Sequence, residues 1–547
     1  MSNGNFKISL KHKRIIIILV VLVVICSFAV IISPPQIVTG DIKIDTSIGM
    51  TSKQRQQDFN NLCKFLKKNV PFINEYQDLY GVSFNDIKTY YANLVENADS
   101  DYEYYTYVEG FLNNIPSGHM NIGYPNVDII NGLYQYRIND YPKFANASTY
   151  WENQLRTESK KYYNNDVRFN TFFYVDGEYL QSEYYANINK NNYTDMKLVA
   201  IDNVPIDEFI KICPLEYKLQ YDHINQKPYR STFILNNTCG IGCTAEYQTA
   251  NGKIYLEKSY YGTVGTDALK YKDYFNAADD SIDDTNDTPE QISQIDYSAQ
   301  EILNNNIYSF NSSDDKFIYV MFNDFIKGGT EFIKLLDNAD IPDNIIIDLR
   351  YNTGGYSDIP IAIIEKLITK EIEINEVLYR TDFGEITDLT LCDGRLMYKQ
   401  TENINIHGKS QKEYNIYVLV SGYTLSAADN FAALIKNNNL GIIIGDNNTG
   451  GEAYGSPDLN VLEISGLYFY YTNIKWLNED GTDNSVYGTS PDIYISFDSE
   501  QMKKRDKLIL NSKPVYTYEN RLKWDDVLIE TLEIIKEKEN AQWNSTA

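Results

Sequence analysis

The chain has 547 residues, 43% apolar and 14% aromatic, which excludes a disordered polypeptide and is too long for one ordinary core. Its formal net charge of −26 sets nucleic acid aside as a partner. Only four histidines occur, none beside another or beside a cysteine pair, so neither a metal site nor a cofactor is expected.

Residues 1–14 carry Lys7, Lys11, Lys13 and Arg14 and no acid, and the 19 residues Ile15 to Ser33 that follow carry no charge before Pro34-Pro35. At about 1.5 Å per residue this run matches the roughly 30 Å of a bilayer's hydrocarbon core. A single transmembrane signal anchor over 15–33 is therefore expected, with the basic tail 1–14 inside and the body outside the cell membrane. No small-x-small site follows the run, and Ile25 precedes Cys26 where a lipobox needs a small residue, so the anchor reads as retained.

A stalk is expected over 34–50 and a helical unit over 51–165, where Phe59, Leu62, Phe65 and Leu66 recur at helical spacing. From 166 to 262 the pattern turns to short β-rich segments. There "KLVAIDNVPIDEFI", Lys197 to Ile210, reads as strand, tight turn, strand and helix start, and resembles the "INGxPV" signature of PDZ domains. Residues 263–300 form an acidic linker whose densest part, Asn276 to Glu290, has six acids and no base. It lacks the glycine-centred spacing of a calcium loop. Over 301–547 the apolar strands "KFIYVMFNDF", "NIIIDLR", "YNIYVLVSG" and "LGIIIGD" alternate with helical stretches, the mark of a layered α/β domain. The whole is read as a mixed α/β multidomain chain. Outside the anchor the cysteines are odd in number, and a Cys239 to Cys243 bridge across "CGIGC" stays open.

Two stretches carry chemistry. In "NIIIDLRYNTGGYSDI", Asn344 to Ile359, a buried-type strand ends in Asp348-Leu349-Arg350 and enters a Gly354-Gly355 loop. Glycines let backbone N–H groups approach a ligand closely, and without a Walker-type lysine the loop suits an oxyanion better than a phosphate, unless it is a plain turn. In "YVLVSGYTLSAADNFAALIKNN" a strand feeds a helix that begins near Ser426. Ser426 with Asp429 fits a capping box. A serine at a positive helix end beside a diglycine loop equally fits an acyl-transfer nucleophile.

Four blocks in order resemble a known family. "IIIDLRYNTGG", "LVSGYTLSAADNFAALIK", "GIIIGDNNTGG" and "YGTSPDIYI" are similar to the signature blocks of the serine peptidases that include C-terminal processing proteases and the tricorn core. The resemblance implies a crotonase-like core, a helical N-terminal part and often a PDZ-like domain. It also implies endopeptidase activity on peptide or protein, with Ser426 as nucleophile and oxyanion donors on the N–H groups of Gly354 or Gly355 and of Ala427.

The base depends on the branch of that family. In the Ser-Lys branch a lysine follows the nucleophile in a "TxGKG" block, but here "TGGEAYG" puts Glu452 there, and no lysine lies between Lys436 and Lys475. The Ser-His branch carries an N-terminal "DgHtxl" block, which "FLNNIPSGHMNIGYP" resembles. That places the base on His119, and an imidazole suits deprotonation of a serine near neutral pH. The branch's supporting Glu falls near Ser485, with Asp483 two residues away, so Ser485, Asp483 and Glu452 are the candidate supporting residues. The expected function is a membrane-anchored serine endopeptidase; the alternative is an inactive peptide-binding scaffold of the same fold.

Overall fold

The computed structural model describes residues 42–125, 141–163, 169–182, 196–213, 218–237, 241–261, 301–303, 306–312, 316–338, 340–381, 387–392, 395–455 and 457–546. The expected anchor and the whole acidic linker lie outside them. Among the described residues no helix is long and apolar enough to cross a membrane. The end of the expected stalk is docked rather than extended: Ile42 and Met50 are buried, and the Met50 N–H donates to Asp101 Oδ2 at 2.9 Å.

The N-terminal unit packs α1 (Ser52–Asn69), α2 (Phe84–Glu96) and α3 (Asp101–Asn113). The first two open with capping boxes, Thr51 with Gln54 and Ser83 with Asp86, which satisfy helix-start N–H groups. After α3 the chain turns through Ser117–Met120 into β1 (Asn121–Ile122), and α4 (Tyr141–Tyr163) packs on α3.

The β-rich unit is a seven-stranded antiparallel sheet built from β2 (Phe169–Val175), β3 (Glu178–Gln181), β4 (Met196–Ile201) and β5 (Val204–Pro205). After the separate hairpin β6 (Gln220–Asp222) and β7 (Lys227–Tyr229), β8 (Thr232–Asn236), β9 (Ile241–Thr249) and β10 (Ile254–Tyr261) complete it. The strand, turn, strand, helix reading of 197–210 matches these elements. Asp202 and Asn203 make the turn with φ of 50° and 64°, the left-handed pair a two-residue hairpin needs, and a short helix follows at Ile206–Phe209. Cys243 carries a free buried thiol, and Cys239, its candidate partner, lies outside the described residues.

The C-terminal unit is a second seven-stranded sheet. It opens with β11 (Glu301–Leu303) and β12 (Tyr308–Ser312), antiparallel to β13 (Phe317–Met321). From β13 the sheet runs parallel through β14 (Asn344–Asp348), β18 (Asn415–Val420), β19 (Gly441–Gly445) and β23 (Ile493–Tyr494). Side chains alternate between faces: Ile345, Ile347, Val418 and Ile443 meet α5 (Lys327–Asn338), α6 (Asp358–Leu367) and α7 (Ala427–Asn437), whereas Ile346, Tyr417 and Ile444 meet α8 (Asp526–Thr546). Between β14 and β18 an antiparallel arm forms from β15 (Ile372–Arg380), β16 (Thr387–Cys392) and β17 (Arg395–Ile406), joined by the later β22 (Ile474–Trp476).

The units do not keep separate cores. The hairpin β20 (Asp458–Val461) and β21 (Tyr468–Tyr471) leaves the C-terminal unit and pairs with β1, Asn121 against Tyr470. Leu462, Leu467 and Phe469 then join one apolar cluster with Phe59 and Phe111 of the helices and Phe172 and Phe233 of the β-rich sheet. Arg230 is fully buried where these parts meet, donating to Ile210 O at 2.8 Å and Asn114 Oδ1 at 2.6 Å.

Candidate active site

The charged pair that closes β14 is structural. Asp348 and Arg350 are both buried, and Arg350 reaches forward to Asp525 at the start of α8 through two bonds of 2.7 and 2.6 Å. Against the upward push of burial, Arg350 and Arg521 hold Asp348 well below the ordinary carboxylate range and Asp525 below its usual value. The pairing ties the last helix to the end of the sheet from which the loops project.

The diglycine loop is shaped by Asn352, whose amide donates to Phe322 O at 3.0 Å and whose Oδ1 accepts from the Gly354 N–H at 2.9 Å. That bond commits the Gly354 N–H to Asn352, which leaves Gly355 and Ala427 of the three expected donors. The N–H groups of those two have no acceptor among the described residues. Gly354 and Gly355 have φ of 102° and 146°, conformations that favour glycine. A Cβ on Gly354 would lie 2.7 Å from Ser426 Cβ, so this backbone rests directly against the serine.

Ser426 sits between β18 and α7 with φ 56° and ψ −124°, a strained conformation for a non-glycine residue. Its side chain makes no capping bond, so the capping-box reading does not hold. Asp429 instead accepts from Thr449 Oγ. Three loops are stitched together around the serine: the Leu425 N–H donates to Asn352 O, the Ser426 N–H to Gly451 O (both 3.1 Å), and the Gly450 N–H to Thr424 O at 2.9 Å.

His119 arrives from the N-terminal unit. A Cβ on the preceding Gly118 would lie 2.8 Å from Leu425 Cδ2 and 3.6 Å from Glu452 Cγ, which seats the histidine loop against the residue before the nucleophile. His119 Nδ1 faces Glu452 Oε2 at 3.7 Å, an ion-pair distance longer than a hydrogen bond, and finds no hydrogen-bond partner. Glu452 is buried, with φ of 68°, and receives Ser117 Oγ on Oε1 and Ser485 Oγ at 3.5 Å on Oε2. Burial alone would push its pKa up. His119, Ser117 and Thr472 outweigh this and hold it below the ordinary value, as an anion.

Of the three candidate supporting residues, Glu452 is thus the carboxylate at the imidazole. Asp483 is otherwise engaged: it caps the short helix Asn484–Tyr487 through the Ser485 N–H and lies 3.6 Å from Lys475. Ser485 stands behind Glu452. No motif pointed to Lys218, from the β-rich unit. Its ammonium donates to Ser117 O at 2.6 Å and to Met120 O, the carbonyls that flank the histidine turn. Burial pushes its pKa down to about 7, against the pull of Glu452. The signal was an isolated lysine in "YKLQY", which nothing in the sequence distinguishes from a surface residue.

No curated protein matches the sequence. Among solved structures the chain is similar to mature CPAF, at 13% identity over 84% of this chain and 98% of that one, with a TM-score of 0.48. It is similar to the photosystem II D1 C-terminal processing protease, at 12% identity over 82% and 94%, TM-score 0.34. To the tricorn protease the identity is 15% over 89% of this chain and 37% of that one, TM-score 0.31. The model of peptidase family S41 matches residues 316–495, the stretch that holds the diglycine loop, Ser426 and Glu452. That segment is a domain of peptidase family S41, a family of serine-type peptidases.

Proposed function

We propose that this chain is an extracytoplasmic serine endopeptidase whose machinery is Ser426, His119 and Glu452. Glu452 holds the imidazole with its Nδ1–H toward the carboxylate, which leaves Nε2 as acceptor. Ser426 Oγ attacks the scissile carbonyl carbon while Nε2 takes its proton. The oxyanion forms against the N–H groups of Gly355 and Ala427, and the imidazolium then protonates the leaving amine. Water repeats the sequence on the acyl-enzyme and releases the second product. Glu452, in the position where a Ser-Lys relative carries its lysine, supplies the carboxylate missing at Ser485, while His119 takes the place of the lysine as base.

The observation that carries the reading is the serine itself: strained, released from capping and pressed against a glycine backbone. The test is covalent labelling of the ectodomain by a serine-directed phosphonate. Wild type should label and Ser426→Ala should not. A protein that binds peptide yet neither labels nor cleaves is the scaffold. The apolar run at 15–33 and its basic flank support a single-pass anchor with the body outside. External protease treatment of intact cells should then digest the body, and a fully protected body would refute the topology. The resemblance of Lys197 to Ile210 to the PDZ signature supports a peptide-binding role for the β-rich unit.

A further inference from the structure

A cavity of about 580 Å³ lies where the β-rich unit meets the ends of β14, β18 and β19. It opens at the same sheet end as the catalytic loops, since Thr353, Gly422 and Tyr423 line it and lead directly into Gly354 and Ser426. Its walls are aromatic. Tyr174 and Tyr229 stack at 4.4 Å on the β-rich side, Tyr351 and Tyr423 pair on the loop side, and Phe497 meets Trp524 edge-on at 6.2 Å below.

The charge within it is acidic. Asp176, Asp222, Asp446, Asp525 and Asp526 line the cavity against Arg350 and Arg505. Most of these groups are spent on the protein: Asp525 pairs with Arg350, and Asp222 accepts from Tyr174 at 2.7 Å and from the Ile224 and Asn225 N–H groups. Asp446 is half-buried at the end of β19, where its carboxylate faces the cavity with its own backbone N–H and the charge of Arg350 as its support. A carboxylate that faces a cavity keeps acceptor capacity for a ligand's donors.

We infer that this cavity is a specificity site that receives a lysine or arginine side chain of the peptide substrate, with Asp446 meeting the cationic head and the aromatic walls packing on its apolar stem. The match is chemical at both ends. A methylene stem buries well against aromatic rings, a cation over a ring face adds attraction, and a charge-assisted bond completes the head group. Burial, with the charges of Asp525 and Asp222, pushes Asp446 up to about 6 against the pull of Arg350 and of its own N–H, so the site holds its charge at neutral pH and loses it under mild acid. The inference rests on the peptidase reading for its substrate, and the test separates the two.

The full-length protein is assayed at pH 7.5 on a peptide library in which each position carries lysine, arginine or uncharged norleucine. At one position wild type should favour the basic residues over norleucine by at least about tenfold in kcat/KM, the scale of a hydrogen bond to a charged group. Asp446→Asn, which keeps shape and removes charge, should erase that preference while cleaving the norleucine peptide at the wild-type rate. The wild-type preference should also shrink between pH 7 and pH 5. Equal use of lysine and norleucine at every position, or a preference that survives Asp446→Asn, overturns the site. If wild type never cleaves or labels, the peptidase reading has failed. The site is then judged by the affinity of Ser426→Ala for the same peptides, where an unchanged affinity on replacing lysine with norleucine overturns it.

Discussion

The two halves of the proposed machinery are held by different means. The serine half is local: Asn352, Gly354, Leu425, Ser426 and Gly451 come from one sheet end, and backbone bonds of about 3 Å stitch their loops together. The histidine half is assembled from three distant segments, with His119 after α3, Glu452 from the peptidase domain and Lys218 from the β-rich unit. A nucleophile fixed by its own sheet survives displacement of a neighbouring unit, whereas a base fixed across units does not. The contrast makes the histidine half the vulnerable part of the site.

The largest effect breaks both halves equally. Ser426→Ala and His119→Ala should each lower turnover by about 10⁴-fold or more, and the double variant should lose little beyond either, because the two act as a unit. Steady-state kinetics on a cleaved peptide decide it, and additive losses would contradict a shared step. Next, Glu452→Gln keeps the bond from Ser117 and removes the charge. It should cost about 10²- to 10⁴-fold in kcat with KM nearly unchanged. A variant at wild-type rate would show that the 3.7 Å contact does not serve the imidazole.

On the serine half, Gly354→Ala introduces a Cβ against Ser426 in a left-handed conformation. By displacing Ser426 and the adjoining Gly355 N–H it should lower turnover by about 10²- to 10³-fold, the scale of a lost oxyanion donor, while peptide affinity on a Ser426→Ala background changes far less. The comparison sharpens further with pH. Lys218 titrates near 7 in the folded protein and near its usual, higher value when unfolded, so the unfolded chain binds the extra proton between those values. Stability should therefore rise as pH increases from 7 to 9, and Lys218→Met should flatten that rise in denaturant melts. The smallest effect concerns the other half: Asp348 and Asp525 have depressed pKa values, so their contribution is complete above about pH 4 and is lost as pH falls below it. Asp525→Asn should weaken this acid-side slope, as measured by unfolding between pH 5 and 2.

How much was legible in the sequence follows the same division. The strands of the C-terminal sheet, the diglycine loop and Ser426 were readable because each is a contiguous run whose chemistry lies within a few residues. Asn352 was quoted within that run, but its role in spending the Gly354 N–H depends on a turn geometry that periodicity does not carry. Ser426 also fitted a capping box by spacing, and only its positive φ separates the two uses. Glu452 was noticed as a departure from a lysine, whereas its task became visible only with Ser117 and His119 beside it. Lys218 gave no signal at all. The unit boundaries blurred for a similar reason: β20 and β21 leave the peptidase domain to pair with β1, and strand partners so far apart leave no local trace.

The bond between Ser117 and Glu452 spans 335 residues of chain, and this orders events in time. A polypeptide is made from its N-terminus, so the histidine turn emerges long before the carboxylate that faces it, and before the serine that the proposed mechanism pairs with it. Until the segment beyond Glu452 has followed and the sheet has closed, the turn is an ordinary surface loop without catalytic competence. In the proposed mechanism the two ends of the active site therefore meet only when synthesis is nearly complete.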